Sequence, residues 1–108
     1  MGVLTSTMRL QYLLNYESDL NYKLMLINQT KMSLLGSNND LLTVGNDYDP
    51  SSPIVKTLQE RQAKMKLLEQ RLDQQRAAYE TQLSAIRAEK DTLKRQQEQE
   101  IQRSFSYR

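Results

Sequence analysis

A row of large apolar residues recurs every seven positions in the second half of the chain and constrains the fold more than any other feature. The row consists of Leu58, Met65, Leu72, Tyr79, Ile86 and Leu93. Seven residues make two turns of an α-helix, so the row marks one side of a long helix that packs along a partner. No Gly or Pro interrupts the chain between Pro53 and residue 103. Ser52 followed by Pro53 is a typical N-cap and first helical residue, which predicts a helix over about 53–103.

A coiled coil needs a second apolar row beside the first, and here the second row is mostly polar. We assign the second row to the positions of Ile54, Arg61, Leu68 and Gln75, which are seven residues apart. Ile54 and Leu68 are apolar, whereas Arg61 and Gln75 interrupt the row. Leu83 widens the first row from a neighbouring position. The stripe is sufficient for one hairpin partner and too narrow for a two-stranded zipper along its whole length.

The first part of the chain is predicted to be that partner, as a helix over about 6–35. Apolar residues recur there at spacings of three, four or seven, in a main row of Leu13, Tyr16, Leu20, Leu24, Ile27 and Leu34. Beside it lies a second row of Leu10, Leu14, Met25, Met32 and Leu35. The apolar face is therefore wide, which is typical of a helix that is covered on more than one side.

The segment 36–52 is rich in Gly, Asn, Asp and Ser and predicts a connecting loop. Gly36 stands where a glycine often ends a helix, and we expect turns at Gly36, Pro50 and Pro53. The predicted fold is all-α: an elongated antiparallel helical hairpin, similar to a coiled coil, in a single domain over 1–108. Its parts are the apolar helix in 1–35, the connector, and a longer polar helix in 53–108.

The unequal helix lengths predict self-association. At about 1.5 Å per residue, helix two exceeds helix one by roughly 30 Å, and an isolated polar helix of that length is marginal in water. We expect this overhang, which carries Leu93, Ile101, Phe105 and Tyr107, to contact neighbouring copies. The alternative is a helix two broken into two pieces within a three-helix bundle, although no Gly or Pro marks a break.

The residues predicted to contact neighbouring subunits are the apolar rows of both helices and the apolar residues at the C-terminal end. They are Leu13, Tyr16, Leu20, Leu24, Ile27, Leu58, Met65, Leu72, Tyr79, Ile86, Leu93, Ile101, Phe105 and Tyr107.

The composition argues against an enzyme. The chain of 108 residues contains no His and no Cys, the side chains that most often supply acid–base, nucleophilic or metal chemistry at neutral pH. It contains one Phe and no Trp, so the bulky aromatic residues that fill compact cores are scarce. We expect no catalytic residue, no cofactor, no metal site and no small-molecule substrate.

The distribution of apolar and charged residues bears on location and partners. The longest apolar run is the four residues 24–27, so we expect no transmembrane segment. No apolar block of about 7–15 residues follows Arg9, the first basic residue, so we expect no cleavable signal peptide. The protein is then either cytoplasmic or exported to the cell surface or medium by a route that reads no such signal.

Binding to nucleic acid is the least favoured function. The net charge is only +2, and acidic residues alternate with basic ones along helix two, as in Glu60 with Lys64 and Asp91 with Arg95. Mixed signs at this spacing are typical of a solvated, salt-bridged surface, whereas phosphate binding needs a one-sided basic stripe.

Two short segments resemble a known family. Pro50-Ser51-Ser52-Pro53 lies between the predicted helices, and the chain ends with Ile101-Gln102-Arg103-Ser104-Phe105 followed by three residues. The needle subunits of bacterial type III secretion systems are similar: small helical hairpins with a Pro-x-x-Pro turn and an Ile-Gln-x-Phe-Arg-like C-terminus. The resemblance implies export without a cleaved signal, assembly into a hollow filament that carries secreted proteins, and contact with other proteins of the secretion apparatus.

The sequence therefore leaves two functions open. The first is a structural subunit that assembles with copies of itself into a helical oligomer or filament, including an exported needle-like or tubular structure. The second is a soluble coiled-coil adaptor or export chaperone that binds a partner protein.

Overall fold

A computed structural model describes residues 2–106 and consists of two α-helices, α1 (Val3–Asn46) and α2 (Pro53–Ser106). α1 has 44 residues and α2 has 54, and the two helices pack against each other. The prediction of an all-α hairpin whose second helix is longer is confirmed. α2 is continuous, so the alternative with a broken second helix is wrong.

The start of α2 has the predicted capping structure. The N–H of Ile54 donates to Ser52 Oγ at 3.4 Å, which satisfies one of the free donors at the helix N-terminus. Pro53 is the first helical residue, where its missing N–H costs no hydrogen bond. Before the cap, Asp49 Oδ1 accepts the N–H of Ser51 at 3.1 Å, and the Asp49 carbonyl accepts the N–H of Ser52 at 2.9 Å. The side chain of Asp49 thus stabilises the turn around Pro50.

The predicted end of helix one at Gly36 is wrong, because α1 continues for ten more residues to Asn46. Among the described residues no glycine has positive φ, so Gly36 is an ordinary helical residue and forms no turn. The helix beyond it is supported by packing, since Leu41 is half-buried and a Cβ on Gly45 would lie 3.6 Å from Leu58 Cδ1. Tertiary packing here outweighs the low helix propensity of glycine. The connector is residues 47–52, shorter than the predicted 36–52.

The chain divides into two compact units. The terminal unit, as described, combines residues 2–23 with 78–106, and the turn unit is Leu24–Ala77. In the terminal unit the helices are antiparallel, because Gln97 Nε2 donates to Thr7 Oγ1 at 2.8 Å while Lys90 pairs with Glu17. In the turn unit Lys31 pairs with Asp73, and the connector joins the helices at Asn46 and Pro53.

The contact line between the helices, which we call the seam, follows the heptad spacing in both helices. In α1 its buried and half-buried residues alternate at three and four positions: Leu10, Leu13, Glu17, Leu20, Leu24, Ile27, Lys31, Leu34, Asn38 and Leu41. In α2 the predicted row is confirmed as a line of covered residues, with Leu58, Met65, Leu72 and Tyr79 half-buried and Ile86 and Leu93 buried.

The second seam row of α2 differs from the one assigned from the sequence. It contains Val55, Gln62, Arg76, Leu83, Lys90 and Gln97, which are buried or half-buried. Ile54 and Leu68 are each 47% exposed, because they lie one position before this row, on the flank of the helix. The predicted contribution of Leu83 is confirmed, since it is 6% exposed.

The predicted overhang of helix two is much shorter than expected, because α1 is longer than predicted at both ends. Leu93 was expected beyond the partner helix and is instead 4% exposed within the terminal unit. Ile101 and Phe105 are exposed, at 45% and 67%, and Tyr107 lies outside the described residues. Contact of Ile101, Phe105 and Tyr107 with neighbouring copies stays a prediction.

Gly36→Ala should raise the stability of the chain. A Cβ on Gly36 meets no atom within 4 Å, so alanine should lower the conformational entropy of the unfolded chain without strain and add about 0.5–1 kcal/mol to the free energy of unfolding. Urea unfolding followed by circular dichroism at one protein concentration measures this change. Gly2→Ala is the contrasting variant and should not gain stability, because the Gly2 carbonyl accepts the N–H of Ser6 at the start of α1, where glycine is preferred to alanine. A less stable Gly36→Ala variant would indicate a left-handed glycine that ends the helix.

Candidate assembly surface

A half-buried ion pair crosses the seam of the terminal unit. Lys90 Nζ donates to Glu17 Oε2 at 3.0 Å and to Oε1 at 3.3 Å. The two side chains are only 16% and 18% exposed, and Arg87 Nε lies 3.7 Å from the same Glu17 carboxylate. Because partly desolvated charges must be paired to be tolerated, this contact constrains which residues of α1 and α2 can face each other.

A second ion pair crosses the seam of the turn unit. Lys31 Nζ donates to Asp73 Oδ1, and Arg76 lies 3.6 Å from the same oxygen. The hydrogen bond from Lys31, together with the positive charges of Lys31 and Arg76, lowers the pKa of Asp73. A lowered pKa means that the folded chain favours the carboxylate, so the pair stabilises the fold at neutral pH and loses its contribution as pH falls through the lowered pKa.

The two pairs set the register of the hairpin. Moving α2 by one heptad in either direction would place Lys90 against Leu10 or Leu24 in place of Glu17. An amine at a seam position without a carboxylate is costly, whereas the leucines alone would tolerate the shift. The polar seam positions therefore lower the seam's apolar content and select one pairing of the helices.

A groove with aromatic walls lies beside the seam of the terminal unit. The Tyr12 and Tyr16 rings are 6.1 Å apart between centroids and tilted by 42°. Arg9 lies over the Tyr12 ring at 5.1 Å and donates to Glu89 Oε1 at 2.9 Å. The Tyr16 hydroxyl donates to Gln82 Oε1 at 3.4 Å.

This groove has a volume of about 260 Å³, and Leu13, Ala85 and Ile86 also line it. Its lining is mainly apolar, with Gln82 and the Arg9–Glu89 pair, which joins the two helices, as its polar members. Its surface is therefore suited to an apolar or aromatic side chain from another molecule.

Most of the exposed large apolar residues lie on α1. They are Val3, Leu4, Met8, Tyr12, Leu14, Tyr16, Tyr22, Met25, Leu26, Met32, Leu35, Leu42 and Val44. α2 exposes five: Ile54, Leu67, Leu68, Ile101 and Phe105. Because the α1 residues occupy every side of the helix while α2 covers one, most of the apolar surface of α1 faces outward.

The residues predicted to contact other subunits fall into two groups. Within one chain the seam covers Leu13, Leu20, Leu24, Ile27, Leu58, Met65, Leu72, Tyr79, Ile86 and Leu93. Tyr16, Ile101 and Phe105 are exposed. Contact of any of them with another copy stays a prediction. Sequence reasoning missed the ion pairs of Glu17 and Lys31, although both residues continue the seven-residue spacing of Leu10 and Leu24.

Comparison of the chain with protein-family models, with curated proteins and with solved structures finds no match. Within residues 2–106 no helix has a stretch that is long and apolar enough to cross a membrane. Over the same part of the chain, no cluster of three or more acidic side chains has the geometry to hold a metal ion.

Glu17→Gln should destabilise the fold by about 1–2 kcal/mol, because it leaves the half-buried Lys90 ammonium without its carboxylate partner. Glu98→Gln, at an exposed position of α2, is the matched control and should stay within about 0.5 kcal/mol of the parent. The double variant Glu17→Leu with Lys90→Met should recover the lost stability, since it removes both charges. Chemical unfolding at one protein concentration measures all three, and equal effects of the two Glu→Gln changes would contradict this role of Glu17.

Proposed function

We propose that this protein is a structural subunit that assembles with copies of itself through the uncovered apolar sides of α1. The observation that supports this most is the unequal exposure of the helices, with thirteen exposed large apolar residues on α1 and five on α2. Large apolar residues that are exposed on several sides of a helix often mark contacts with other helices. One antiparallel partner covers a single side, so further helices are needed, and identical copies are the simplest source of them.

The composition of α2 supports the same arrangement. Away from the seam, α2 carries mainly Gln, Lys, Arg and Glu, with a stretch of small residues at Ala77, Ala78, Ser84, Ala85 and Ala88. Such a surface is stable in water. An assembly with the apolar sides of α1 inside and the polar side of α2 outside, or facing a lumen, would bury many of the exposed apolar residues of α1.

In its more specific form, the proposal is an exported needle-like or tubular filament of a protein secretion system. Its support is the resemblance carried by Pro50-Ser51-Ser52-Pro53, which lies where α2 begins, and by the C-terminal segment 101–105. Ile101 and Phe105 are exposed there and are available for contacts along such a filament.

A second candidate is an adaptor or export chaperone, and the groove that Tyr12 and Tyr16 line together with Ala85 and Ile86 favours it. An apolar side chain from a different protein would suit that groove as well as one from a second copy. The two candidates differ in solution, since a structural subunit associates on its own and an adaptor associates only when its partner is present.

Replacing exposed apolar residues of α1 should weaken self-association without unfolding the chain. Met32 and Leu35 are 75% and 59% exposed, so we expect Met32→Gln with Leu35→Gln to keep the helical circular dichroism of the parent. The double variant should associate at least about tenfold more weakly, equivalent to about 1.4 kcal/mol. Sedimentation velocity over a concentration series measures the mass distribution.

The matched control is Ser84→Gln with Ala88→Gln, at exposed positions on the polar side of α2, and it should associate like the parent. A parent chain that sediments as a monomer at every concentration would contradict the proposal. An unchanged mass distribution in the Met32 and Leu35 variant would show that this side of α1 is not a contact surface.

A further inference from the structure

α2 carries a second line of residues at heptad spacing, separate from the seam. Ile54, Thr57, Arg61, Lys64, Leu68 and Arg71 follow one another at alternating intervals of three and four. We call these residues the basic row, because its charged members are all cationic. Three or four residues make about one helical turn, so the row runs along one side of α2 in the turn unit.

The basic row is open to solvent. Ile54 and Leu68 are each 47% exposed, and the three cations are exposed. Arg61, Lys64 and Arg71 form no ion pair with any residue in the part of the chain that the structure describes. Shallow hollows occur along the row, one beside Ile54 and Arg61 and another between Lys64 and Arg71.

α1 carries a row of the opposite charge in the same unit. Leu26, Thr30, Ser33, Ser37, Asp40 and Val44 follow the same spacing, and Asp47 continues it just after the helix. We call these seven residues the acidic row. No Lys or Arg occurs in 32–55, where the charged residues are Asp40, Asp47 and Asp49. Asp40 and Asp47 are exposed, and neither forms an ion pair among the described residues.

Both rows lie on the same side of the turn unit. Except for Leu68, which precedes the exposed Glu69, each of their helical members directly precedes a covered position, as Asp40 precedes Leu41 and Lys64 precedes Met65. In antiparallel helices the positions that precede the seam meet on one side. The terminal unit shows this relation directly, since Arg9 precedes Leu10, Glu89 precedes Lys90, and the Arg9 and Glu89 side chains are 2.8 Å apart.

We propose that the turn unit docks on the turn unit of a second copy through this side, with the acidic row of each copy against the basic row of the other. This inference rests on the proposed self-association and adds a second contact surface, distinct from the side of α1 that carries Met32 and Leu35, together with the residues that pair across it. A twofold axis along the helices brings α1 of one copy against α2 of the other, so each contact occurs twice. The product is a four-helix bundle in which neighbouring helices are antiparallel.

The opposite charges of the two rows and their positions along the helix axes favour this pairing. The pairing of Lys31 with Asp73 and the closeness of Gly45 to Leu58, whose Cδ1 would lie 3.6 Å from a Cβ on Gly45, show which residues of α1 and α2 lie side by side. By that correspondence Asp40 lies beside residues 61–64 of α2. Rotation about a twofold axis along the helices does not change positions along that axis, so Asp40 of one copy faces the cations of the other. The opposite arrangement, with α2 against α2, would bring the two basic rows together and is disfavoured by repulsion.

The apolar members of the rows supply the contact area. Leu26 and Val44 are 41% and 44% exposed, similar to Ile54 and Leu68, while the serines and threonines between them are small enough for close helix approach. As in other helical bundles, charged residues beside an apolar line then decide which helices pair.

Two sets of charge reversals test the pairing. One variant carries Arg61→Glu with Lys64→Glu, and the other carries Asp40→Lys with Asp47→Lys. Each variant alone should dimerise at least about tenfold more weakly than the parent, because two like-charged contacts form in its homodimer. An equimolar mixture should form a heterodimer as stable as the parent dimer, since every acidic residue of the rows then faces a base. Native mass spectrometry and sedimentation velocity at low ionic strength measure the homodimers and the heterodimer.

The matched control is Lys56→Glu with Lys66→Glu, which changes the net charge equally at exposed positions outside the basic row. It should dimerise more strongly than the variant at Arg61 and Lys64 and should gain nothing from mixing with the variant at Asp40 and Asp47. Homodimers of both row variants as stable as the parent, or a mixture without heterodimer, would overturn the pairing. If the parent still associates in that case, the proposed self-association stands and only the docking through the two rows is wrong. A parent that is monomeric contradicts both the self-association and the docking.

Discussion

The seam between α1 and α2 is the constraint on which the rest of the structure depends. It is only two adjacent residue rows wide on each helix, and charged or amide side chains interrupt its leucines and isoleucines. The Glu17–Lys90 and Lys31–Asp73 pairs contribute less apolar burial than leucines would, yet they exclude shifted pairings of the helices. The result is a hairpin with one preferred register and little apolar burial of its own.

A seam this narrow has a direct consequence for α1. This helix carries exposed apolar residues on sides that α2 does not cover. The side of α2 that faces away from the seam carries mainly polar and small residues. A single chain of this kind exposes large apolar side chains on several sides of one helix, and contiguous exposed apolar surface often marks contact sites. The proposed self-association of the chain follows from this imbalance, whereas the proposed pairing of rows in the turn unit rests on their opposite charges.

The elements that could be predicted from the sequence are those set by local chemistry or by a strict repeat. Ser52 and Pro53 mark the start of α2 because capping depends on neighbouring residues alone, and the row from Leu58 to Leu93 is regular enough to identify the seam. The continuation of α1 through Gly36 could not be predicted, since it depends on packing against residues distant in sequence. For the same reason Ile54 was placed in the seam, where Val55 belongs, because only the position of α1 distinguishes two adjacent rows.

The dependence of thermal stability on protein concentration tests the central claim most directly. If further copies complete the burial of α1, the midpoint of unfolding should rise by several degrees between micromolar and near-millimolar protein, because association stabilises the folded chain by mass action. A midpoint that stays constant over that range, with a monomeric mass throughout, would show that the hairpin is complete on its own and would contradict the account.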